Sequence, residues 1–66
     1  MTSDEARERI ESAITQYGAQ AGMAIDLIIS EVRSSLGREA ANDLIEEFDL
    51  ELTYNIPPQD TLSGDS

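Results

Sequence analysis

One run of apolar residues constrains this chain more than any other feature. Ile10, Ile14, Tyr17, Ala21, Ala24 and Ile28 follow one another at steps of four, three, four, three and four. Those steps hold a line of side chains on one side of an α-helix, the a/d pattern of a coiled coil. Ala6, Ala13, Ile25 and Val32 fall on the same side of a helical wheel, and Glu8, Ser12, Ala19, Asp26 and Ser30 fall opposite. The seam keeps its phase through Gly18 and Gly22 and predicts one helix over about 3–36. Each glycine costs about 1 kcal/mol against alanine in a helix interior. A break near Gly18, giving three short helices, is therefore the competing arrangement. Leu27 and Ile29 stray to the two flanks of the stripe, so that residues 24–29 are apolar nearly all round apart from Asp26. A helix of that kind is covered by more than one neighbour.

The ends of the helix carry their own signals. Thr2-Ser3-Asp4-Glu5 matches a capping box, in which the Glu side chain reaches back to the cap's backbone N–H. Asp4 and Glu5 suit the positive end of the helix dipole, and Arg33 suits the negative end. Gly37 is the residue type that terminates a helix in a left-handed conformation. A second amphipathic segment follows over about 38–49, with Ala41, Leu44, Ile45 and Phe48 on one side and Asn42, Asp43, Glu46 and Glu47 outside. A turn at 37 would make the two helices an antiparallel hairpin.

From Leu50 the period changes to two. Leu50, Leu52, Tyr54 and Ile56 alternate with Glu51, Thr53 and Asn55, which reads as an extended segment over 50–56 or, alternatively, as frayed helix followed by coil. Two roles fit four apolar residues in that pattern. They form a partner-binding strand that adds to another protein's sheet edge, or they pack back on the helices. Pro57-Pro58 forbids helix and ladder alike. The domain is thus expected over 1–56, with a disordered acidic tail over 57–66.

Lengths bear on assembly. A helix over 3–36 is about 50 Å long and one over 38–49 about 18 Å. Folded back from Gly37, the shorter helix covers only the C-terminal third of the longer one. Ile10, Ile14 and Tyr17 are then bare, and burying a side chain of that size contributes about 1.5–3 kcal/mol. A second copy is the expected cover, giving a homodimeric, all-α four-helix bundle with Ile10, Ile14, Tyr17, Ala21, Ala24 and Ile28 at the dimer interface. An antiparallel pair fits this best. The small residues at Gly18-Ala19-Gln20-Ala21-Gly22 suit either close packing at the crossing or a hinge.

Composition agrees with a need for partners. The chain has 66 residues, with no cysteine and no histidine. A domain below about 70–80 residues seldom draws more than about 3–5 kcal/mol from its own core without a staple; disulfides are excluded here, and without cysteine or histidine a zinc staple is not expected. Fourteen Asp and Glu face four Arg and no Lys, a net charge of −10. That field opposes nucleic acid and anionic membranes and suits solubility, a basic partner or divalent cations. The N-terminus has no basic, apolar leader, and the most apolar window, 21–29, is far short of the ~20 residues of a spanning helix. A cytoplasmic location is expected.

Glu46, Glu47, Asp49 and Glu51 supply hard oxygen ligands, but not at EF-hand spacing, and carboxylate–histidine bundle sites need a histidine. They read as a solvated acidic face. No cofactor, metal or catalytic residue is expected, and no enzymatic activity. The expected function is a non-catalytic protein–protein interaction module or regulator acting as a homodimer. The alternative is an acidic mimic of nucleic acid that occupies the groove of a basic, nucleic-acid-binding protein.

Overall fold

The structure is a computed structural model that describes residues 1–58; of the tail expected over 57–66, residues 59–66 lie outside the described residues. Helix α1, Ser3–Tyr17, begins at the capping box. The Thr2 hydroxyl accepts the Glu5 N–H at 3.1 Å, and the Glu5 carboxylate accepts the Thr2 N–H at 3.3 Å.

The helix does not run on to residue 36, and the expectation of one unbroken helix is corrected here. Gly18 takes φ +59° and ψ −126°, a positive φ that costs glycine nothing and other residues considerably. A 3-10 turn, Gly18–Gln20, carries the chain into α2, Gly22–Leu36. The described chain is 37 Å in its longest dimension, shorter than the roughly 50 Å of a continuous helix. The physical reason is burial. Breaking at Gly18 takes that glycine out of a helix interior, worth about 1 kcal/mol. It also lays α1 alongside α2, where Ala6 and Ile10 are fully buried. The Arg9 guanidinium reaches across to Glu31 at 2.7 Å.

Helix α2 stops at Gly37, whose φ is +102° and whose N–H donates to the Val32 and Arg33 carbonyls. Helix α3, Arg38–Glu47, packs chiefly on α2. Arg7 ties it to α1, with Nε donating to Glu47 at 2.8 Å while a terminal nitrogen donates to Asp4 at 2.9 Å. The Glu47 hydrogen bond and charge, then those of Asp4, raise the Arg7 pKa further above its ordinary value.

Residues 50–56 are not extended, which corrects a second expectation. Asp49 adopts a left-handed conformation (φ 54°) and α4, Leu50–Tyr54, follows. Thr53 N–H donates to the Asp49 carbonyl at 3.0 Å. Asn55, also left-handed at φ 61°, closes the helix, and the Asn55 and Ile56 N–H groups both donate to the Leu50 carbonyl. One helical turn puts Leu50 and Tyr54 on one side, and the reversal at Asn55 returns Ile56 to the core. Among the described residues the fold is all-α, with Ile10, Ile25, Ile29, Val32 and Leu50 the largest fully buried side chains and no polar or charged residue buried. No helix among them is long and apolar enough to cross a membrane.

Candidate functional site

The six residues expected at a dimer seam are divided by the fold. Ile10, Ala21 and Ile28 are buried within one chain, Ile14 and Ala24 are half-buried, and Tyr17 is 53% exposed. Ile10 and Ile14, which lacked cover in a straight helix, are thus largely covered by their own chain. Tyr17 is the member of the trio that stays bare.

An open groove runs between α1 and α2. Its apolar lining is Ala13 and Tyr17 from α1 with Ala24, Leu27 and Ile28 from α2. Polar side chains rim it, chiefly Glu8 and Gln16 on one side and Glu31 on the other, with the Arg9–Glu31 pair bridging across. Leu27 is 64% exposed, and Met23, one helical turn earlier, is 79% exposed. These two carry much of the apolar surface on α2 outside the core. Ile29, on the other flank of the stripe, is almost completely buried. Of the two flanks that the all-round apolar window predicted would be covered, one is filled and the Leu27 side is open. Leu27 was legible in the sequence as a flank residue. Met23 was missed, since a lone methionine off the stripe gives no signal.

The four residues expected to share one side of a binding strand do not share a side. Leu50 and Ile56 are buried, Tyr54 is half-buried and Leu52 is 82% exposed. Tyr54 has a structural task instead. Its hydroxyl donates to the Gly18 carbonyl at 2.9 Å, and its ring lies against Gly22, within 3.6 Å of where a Cβ would stand. The same Gly18 carbonyl accepts the Ala21 N–H at 3.0 Å. Helix α4 therefore buttresses the corner between α1 and α2.

The acidic residues Glu46, Asp49 and Glu51 line a depression with Asn42, Ile45 and Pro58. Among the described residues no group of three or more His, Cys, Asp or Glu side chains is placed to hold a metal ion.

Comparison with known proteins finds no matching family model, no similar curated protein and no similar solved structure.

Proposed function

We propose that this chain is a non-catalytic protein-docking module, and that the groove between α1 and α2 receives an amphipathic helix from a basic partner. The observation that carries the reading is the exposed apolar pair Tyr17 and Leu27, which face one groove from two helices. Helix-in-groove recognition uses an apolar trough of this kind to take side chains spaced three and four apart. Glu8 stands at its rim beside the Arg9–Glu31 pair, on a chain whose net charge is −10. Lysine or arginine flanking the partner's apolar stripe complements that rim and speeds encounter. Charge also favours the second reading, an acidic mimic that occupies a nucleic-acid-binding groove. In that case the acidic outer faces of α3 and α4 do the binding and the apolar groove is not needed.

A titration of the isotope-labelled chain, followed by backbone NMR, separates the two. The probe is a helical peptide with leucine on one face and lysine on the other. Docking predicts shifts at Tyr17, Ala24, Leu27 and Ile28 that persist at high salt, and their loss in Leu27→Glu with no change in melting temperature. Shifts confined to 39–51 that vanish with salt would replace docking by mimicry. Concentration-dependent shifts at Leu27 and Ile28 without peptide, with those of 18–21 unmoved, would make a second copy its occupant, the homodimer reading.

A further inference from the structure

We propose that the Gly18 corner is a hinge through which two copies of this chain exchange α1, forming a dimer in which residues 3–36 run as one helix. This is independent of what the groove binds. It rests on an agreement between the apolar phase and the fold. Ala6, Ile10 and Ala13 before the corner and Ala21, Ile25, Ile28 and Val32 after it are all buried in the folded chain. The same residues lie in unbroken helical phase across the corner. A straightened chain therefore still presents one continuous apolar face. Its α1 half can pack on α2 of a second copy with the contacts it makes in its own chain, which is the definition of a domain swap.

The corner needs little change to straighten. Tyr17 (φ −110°, ψ −14°) and Ala21 (φ −73°, ψ −10°) are already in the right-handed region, and Ala19 and Gln20 sit in a 3-10 turn between them. Gly18 is the residue whose φ must change sign. Two features hold the corner shut: the φ of Gly18, and the Tyr54 hydroxyl on the Gly18 carbonyl.

The glycines supply a matched pair of variants. A Cβ on Gly18 meets nothing within 4 Å, so alanine there strains the closed chain through φ alone, and it favours the straight helix. Gly22 is helical in both forms, and a Cβ on it makes an ordinary contact with Tyr54. By sedimentation equilibrium, Gly18→Ala should tighten self-association by about a hundredfold or more, roughly tenfold for each of two hinges. The product should have about twice the 7.2 kDa chain mass and undiminished helicity. Tyr54→Phe should shift the equilibrium the same way by a smaller factor, and Gly22→Ala should leave it within about threefold, a small free-energy change.

Spin labels at Glu11 and Ser34, on a few chains diluted into unlabelled protein, then read the form of the dimer. In the closed chain, side-by-side helices keep the labels within about 20 Å. A continuous helix separates them by about 35 Å. Dimeric Gly18→Ala, or wild type concentrated until it dimerises, should show the long distance. A folded Gly18→Ala monomer, a dimer that keeps the short distance, or a loss of helix in Gly18→Ala each overturns the proposal, because the open form accommodates alanine at that position.

Discussion

Leu50 and Leu52, two positions apart, should respond very differently to truncation. As an extended segment they would share one side and matter equally. In α4 they differ by two positions on a helix, and the structure buries Leu50 completely while leaving Leu52 82% exposed. Truncating a fully buried leucine loses its transfer free energy and leaves a cavity, together about 2–5 kcal/mol. A domain of this size has roughly 3–10 kcal/mol in all. Leu50→Ala should therefore remove a large share of the stability, either by global unfolding or by releasing α4 and with it the Tyr54 contact to Gly18. Leu52→Ala should change stability by no more than about 0.5 kcal/mol, as exposed sites do. Urea denaturation followed by circular dichroism measures both. Equal losses for the two variants would refute the helical placement of 50–54, and a neutral Leu50→Ala would refute its role as an anchor.

Two further outcomes follow from the backbone and the ion pairs. Gly37→Ala should cost about 1–3 kcal/mol in a thermal melt, because φ +102° strains any residue with a Cβ although the space around Gly37 is open; a neutral result would mean that the corner between α2 and α3 is built differently. A double-mutant cycle on Arg7 and Glu47 should give a coupling below about 1 kcal/mol that fades with added salt, since both side chains are substantially exposed; a coupling above about 2 kcal/mol would show a desolvated pair.

What the sequence made legible was local. The capping box at Thr2–Glu5, the stop at Gly37 and the amphipathic helix after it depend on residues a few positions apart, and all three stand in the structure. The break at Gly18 was not legible as the preferred arrangement. A bend between helices that both bury the same stripe preserves the phase, so continuity of phase does not distinguish a straight helix from a folded one. Burial of Ile10 within the chain, a tertiary effect, favours the fold. Alternation over 50–56 misled because four apolar residues are too few to tell a strand from one helical turn with a reversal. Asp49 and Asn55 were the usable signal there, since Asp and Asn visit the left-handed region more readily than other non-glycine residues, and the two bracket α4. Of the groove, Tyr17, Ala24, Ile28 and the flank residue Leu27 were readable, whereas their convergence from two helices depends on the bend.

Groove, buttress and hinge all require α1 to lie beside α2, and small-angle X-ray scattering tests that most directly. The sample is a chain ending at Pro58, at a dilution where it is monomeric. A folded corner predicts a compact particle, with a Cα radius of gyration of 11.3 Å and a longest dimension of 37 Å before the hydration layer is added. A rod of about 50 Å or more, the length of an uninterrupted helix over 3–36, would contradict it.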